Sequence, residues 1–159
     1  MRHQAEQGDA PAGDVTPLTL LVIDDERAVR QLVRRMLEPH ICRVVEAADG
    51  SEALAIIESH SAPIDAVLTD LRMPGMTGEE VVAALQRQAP RLPVLAMTGH
   101  ADTAALAGSV KLLAKPFEPR DVIGAVIDAL VKGRAARGSV AERGSRKRDG
   151  RALPNSGPA

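Results

Sequence analysis

Five side chains in this 159-residue sequence could do chemistry together: the carboxylates of Asp24, Asp25 and Asp70, the hydroxyl of Thr98 and the ammonium of Lys115. Carboxylates brought together repel one another by about 1 kcal/mol per pair at ~4 Å in water, and by several times that near a protein surface. Such a cluster calls for a cation. Oxygen donors with no His or Cys among them suit Mg²⁺, which keeps several waters and takes one or two carboxylates plus phosphate oxygens. An Asp beside Mg²⁺, faced by an ammonium and a hydroxyl, is suited to become an acyl phosphate, because metal and ammonium neutralise the oxygens of an incoming phosphoryl group. In that arrangement Thr98 would hydrogen-bond the phosphoryl group once it arrived.

Each of these residues follows a short apolar run. Leu18–Ile23 is β-prone and stops at Asp24-Asp25-Glu26; Ile64–Leu68 leads to Asp70 and then to the Met73-Pro74-Gly75 turn; Leu92–Met97 ends at Thr98; Val110–Ala114 ends at Lys115. A further strand is expected over Cys42–Glu46. Between the strands, Val29, Leu32, Val33, Met36 and Leu37 recur at helical spacing up to Pro39, followed later by Ala53, Leu54 and Ile57, by Val81, Val82 and Leu85, and by Val122, Ile123, Val126, Ile127 and Leu130. A weaker helical segment is expected from Asp102 to Ala107. Strands that alternate with helices form a parallel sheet with right-handed crossovers, here a three-layer αβα sandwich of five parallel strands. In open α/β sheets ligands bind at the carboxyl ends of strands, where all five residues fall.

Composition narrows the alternatives. The one cysteine, Cys42, excludes an internal disulfide framework and reads as a small buried residue of a strand. No apolar run reaches the roughly 18 to 20 residues of a membrane span, and the polar start lacks the apolar stretch of a signal peptide, so no membrane partner and a cytoplasmic location are expected. With no Trp, no Tyr and only Phe117, base stacking on single-stranded nucleic acid has little to use. The net charge of −1 hides an asymmetry: one basic group against three acidic in residues 1–17, eleven against sixteen in 18–131, and eight against two in 132–159. The expected organisation is a flexible leader over 1–16, a globular domain over 17–131 and a disordered basic tail over 132–159.

Taken together, Asp24-Asp25, Asp70 followed by Met73-Pro74-Gly75-Met76-Thr77-Gly78, Thr98-Gly99 and Lys115-Pro116-Phe117 resemble the signature of the response-regulator receiver domain of two-component signalling, over about Leu18 to Leu130. The resemblance implies a flavodoxin-like strand order 2-1-3-4-5. It implies that Asp70 accepts phosphate from a sensor histidine kinase or a histidine phosphotransfer protein. Asp24, Asp25 and Asp70 would hold Mg²⁺ with the backbone carbonyl of Arg72, and Thr98 and Lys115 would read the phosphoryl group. A cis peptide before Pro116 is implied as well.

Two features depart from the family pattern. Only sixteen residues separate Thr98 from Lys115, and Leu112 stands where many receivers carry an aromatic residue, so coupling through an aromatic rotamer is not available. Signalling by an ordering of residues 99–109 is expected instead. His100 reads as an exposed loop residue. The expectation is therefore a single-domain receiver that is a switch or a phosphorelay shuttle, not a metabolic enzyme, with an unidentified protein as output and no nucleic-acid partner. The rivals are a Mg²⁺-dependent small-molecule phosphatase and a nucleic-acid binder acting through the basic tail. The phosphatase would want a second acid two residues after the nucleophile, where Arg72 stands.

Overall fold

A computed structural model describes residues 16–38, 41–59, 63–99, 106, 108 and 110–146. Strands and helices alternate as far as β4, and β5 is the next described element: β1 (Thr19–Ile23), α1 (Arg27–Leu37), β2 (Arg43–Ala47), α2 (Gly50–Glu58), β3 (Ala66–Asp70), α3 (Gly78–Gln88), β4 (Val94–Thr98), β5 (Lys111–Ala114) and α4 (Pro119–Arg146). All neighbouring strands pair in parallel, in the order β2-β1-β3-β4-β5.

Side chains of successive strand residues point to opposite faces, so each strand feeds two layers. Leu20, Val22, Val44, Leu68, Leu95 and Met97 meet Val33 and Leu37 of α1 and Val122, Val126 and Leu130 of α4. Leu21, Ile23, Ala47 and Val67 meet Ala53 of α2 and Val81 and Leu85 of α3. β1 and β3 are buried along their whole length, which explains their unbroken apolar runs. Local chemistry fixes the helix starts. Asp49 accepts a hydrogen bond from the Glu52 amide, and Thr77 with Glu80 forms a reciprocal capping box ahead of α3.

Three expectations need correction. Leu32 and Ile127, read as inward residues of their helices, are 49% and 41% exposed, because each falls on the flank of its apolar stripe. The helix expected to finish near Leu130 runs on to Arg146, so residues 132–146 are not a disordered tail. What holds the extension is not an apolar stripe. Asp65, fully buried just before β3, accepts hydrogen bonds from Arg137 at 2.5 Å and from Arg134 Nε at 3.5 Å, while its other oxygen accepts from the Thr19 amide at 2.8 Å. Arg134 also donates to the carbonyl of Thr16. At Gly133 the helix backbone passes so close that a Cβ would stand 1.7 Å from the Asp65 carbonyl oxygen. The other part of the expected tail, 147–159, and nearly all of the leader lie outside the described residues, as do His100 and most of the Asp102–Ala107 segment. Leu106 is described: it is buried against Leu71, Val82 and Ala96.

Candidate functional site

The carboxyl ends of β1, β3, β4 and β5 bring the expected residues to one edge of the sheet. Asp24 leaves β1 fully buried, Asp70 ends β3 at 7% exposure, and Asp25 is exposed. One ligand oxygen from each of the three lies within 4.8 Å of the others. Lys115 Nζ is 3.3 Å from Asp70 Oδ1 and 3.8 Å from Asp24 Oδ2. The peptide bond between Lys115 and Pro116 is cis, as implied by the resemblance. The Lys115 amide donates to the carbonyl of Thr98 at 2.7 Å, which ties the end of β5 to the end of β4. Thr98 is half-buried, paired in register with Ala114 and one step beyond Met97, the partner of Asp70. Arg72 lies two residues after Asp70, beyond the end of β3, with its side chain exposed.

The turn after β3 is built for close approach. Gly75 has φ 76°, a left-handed conformation natural for glycine. Gly78 packs against the backbone of Asp70, where a Cβ would meet the Asp70 carbonyl oxygen at 2.2 Å, and its amide donates to the Leu71 carbonyl. The first turn of α3 is thus pressed against the end of β3.

The electrostatics fit a divalent cation. Asp24 Oδ1 accepts from the Glu26 amide at 2.8 Å, but Asp24 Oδ2 is buried without a hydrogen-bond partner. Burial above all pushes the Asp24 carboxyl upward; the Glu26 amide opposes this, Asp70 adds to it, Lys115 opposes it, and Asp25 adds to it. A buried oxygen without a donor, beside two further carboxylates, is satisfied by a hard cation.

Two residues at this edge escaped the sequence reading. Arg30 of α1 donates through Nη1 to the carbonyls of Asp24 (2.7 Å) and Asp25 (3.4 Å), and through Nε to Glu46 Oε2 (3.2 Å). An arginine on the polar side of an amphipathic helix carries no signal that separates it from a solvated one. From the sequence, Glu46 is only the end of a short strand.

The sequence profile of the response regulator receiver domain matches residues 20–127, and the chain belongs to that family. It is 36% identical over 109 residues to the transcriptional regulatory protein ResD of Bacillus subtilis, covering 65% of this chain and 44% of that protein. It is 34% identical over 141 residues to the transcriptional regulatory protein FixJ of Azorhizobium caulinodans, covering 84% and 61%. Among solved structures, a response regulator receiver domain protein from Clostridium thermocellum superposes with a TM-score of 0.68 at 30% identity, covering 75% of this chain and 98% of that one. The chain spans about half the length of the curated relatives it matches. Among the described residues, no helix is long and apolar enough to cross a membrane.

Proposed function

We propose that Asp70 is the phosphoryl acceptor of this receiver, with a phosphohistidine of a sensor kinase or of a phosphotransfer protein as donor. The observation that carries this reading is the convergence of Asp24, Asp25 and Asp70 within 4.8 Å, with Lys115 Nζ 3.3 Å from Asp70 Oδ1. An Asp70 oxygen attacks phosphorus as the P–N bond to the donor imidazole breaks; the nitrogen takes the electron pair, and Asp70 becomes a mixed anhydride. Lys115, already at Asp70, pairs with the negative oxygens of the arriving group, and Thr98 donates a hydrogen bond to the product. Asp24, Asp25 and Asp70, with the carbonyl of Arg72, would hold Mg²⁺, which supplies charge neutralisation of the phosphoryl oxygens. Hydrolysis of the anhydride returns Asp70 to its starting state. The chain is then a switch or a relay shuttle in the cytoplasm and not an enzyme with a metabolic substrate.

Incubation with Mg²⁺ and a small phosphodonor should add a single base-labile phosphate, and Asp70→Asn should abolish it. Wild-type labelling of Asp70→Asn would overturn the assignment.

A further inference from the structure

In the loop that carries Asp24 and Asp25, the first residue is fully buried and its amide donates to the Ala47 carbonyl, whereas the second faces solvent. Glu26, the N-cap of α1, makes no capping hydrogen bond with its side chain, and Asp25 is exposed, so packing does not fix its direction. Arg30 reaches both peptide planes, and the second of them is also held by the Glu26 amide, which donates to Asp24 Oδ1 at 2.8 Å. One nitrogen, Nη1, donates to the carbonyls of both residues. These carbonyls set the planes on either side of Asp25 and hence the direction in which its Cβ leaves the backbone.

The guanidinium is itself held. Glu46 of β2 accepts from Arg30 Nε through Oε2 and from Arg34 Nε through Oε1, the latter at 2.7 Å. Arg34 also donates to the Val44 carbonyl at 3.2 Å and to Glu38 Oε2 at 3.4 Å, and Glu38 Oε1 accepts from the Val44 amide at 2.7 Å. A continuous set of charged hydrogen bonds therefore runs from the backbone of β2 through Glu46 to Arg30 and the acidic loop. The Arg30 side chain is only 13% exposed. Because Glu46 offsets the charge of Arg30, what the loop receives is mainly geometry.

We infer that Arg30, held by Glu46, is a positioning residue that aims Asp24 and Asp25 at the cation shared with Asp70. The inference rests on the metal role proposed above. Groups behind a ligand that fix its orientation are typically worth about 10 to 100-fold in metal affinity. Lysine in this place keeps the charge but has a single nitrogen, which cannot span the carbonyls and Glu46 as the planar guanidinium does.

The test is Mg²⁺ titration followed by NMR on wild type, Arg30→Ala, Arg30→Lys and Glu46→Gln, with melting temperatures of the metal-free proteins alongside. Expected is an Mg²⁺ dissociation constant raised about tenfold in both Arg30 variants and by a smaller factor in Glu46→Gln, measured on the folded proteins. A merely structural role would lower the melting temperature and leave the dissociation constant unmoved, which would overturn the inference. Full rescue by lysine would overturn it too, since charge would then suffice. If Arg30→Ala fails to fold, Glu46→Gln decides: wild-type affinity there rejects the relay. A wild type that binds no Mg²⁺ sinks the metal role and this inference together, whereas normal wild-type binding with unaffected variants sinks this inference alone.

Discussion

Lys115 and Asp70 are 45 positions apart in the chain, yet their charged atoms lie within 3.3 Å. That contact was legible because both residues close an apolar run, and a parallel sheet sends all such ends to one edge. With the ammonium gone, the phosphoryl oxygens lose their nearest protein cation, so Lys115→Ala is expected to slow labelling of Asp70 by about a hundredfold, roughly 3 kcal/mol of barrier, in a phosphodonor assay at saturating Mg²⁺. Arg30 was illegible for the opposite reason: its partners are two carbonyls and a strand residue, and carbonyl orientation leaves no mark on residue order. Glu46 carries a pH signature. Burial pushes its carboxyl upward, but hydrogen bonds from Arg34 and Arg30, with their charges, bring it below the ordinary 4.5. The group therefore stabilises the fold above pH 4.5, and that contribution drains away as pH falls below 4.5 toward the lower folded value. Urea titrations across pH 3 to 6 should show a shallower acid-side loss in Glu46→Gln than in wild type. Cys42 behaves otherwise. Burial first, then Glu38 and Asp65, push its thiol up to about 11, so at pH 7.5 a disulfide reagent should label it slowly until denaturant opens the core.

α4 shows where reading by periodicity stops. Val122, Val126 and Leu130 announced a helix, and beyond Val131 no apolar stripe continues, so the chain read as tail. The extension is instead pinned by Arg134 and Arg137 on the buried Asp65 and by the absence of a side chain at Gly133. Single charged residues and one glycine leave no periodic trace. The same limit explains Leu32 and Ile127, whose spacing fits a helix face although each stands at its margin. The pin can be measured. Removing both guanidiniums (Arg134→Ala with Arg137→Ala) strands a buried carboxylate, and breaking a buried pair in this way costs about 3 kcal/mol. Gly133→Ala forces the helix off the Asp65 carbonyl and should cost about 1 to 3 kcal/mol. Chemical denaturation of both variants checks these values. Asp65→Asn with the arginines intact should lose less than the double variant, because the two guanidiniums left without an anion are 35% and 38% exposed and reach water, whereas the carboxylate is fully buried.

At the scale of the whole molecule, strand order and the layering of helices followed from the alternation of elements and the family resemblance, while the end of the fold did not. Mg²⁺ held as proposed would link the site to global stability: a ligand bound only by the folded state adds about 2.7 kcal/mol at a hundredfold excess over its dissociation constant. Thermal melts with and without saturating Mg²⁺ should therefore differ by several degrees, and Asp24→Asn should narrow the difference while melting higher than wild type when metal is absent. The grip of α4 on Asp65 also bears on the order of events during synthesis. Asp65 emerges from the ribosome well before Arg134 and Arg137, and domains form as their residues become available. One oxygen of this carboxylate has the Thr19 amide available early, but the other, ahead of the central β3, must wait hydrated until nearly the whole domain has been made. Closing the amino end of the sheet is thereby reserved for the last helix, and a nascent chain stalled short of Arg134 should remain open to protease around residues 63–66 even after its first four strands are complete.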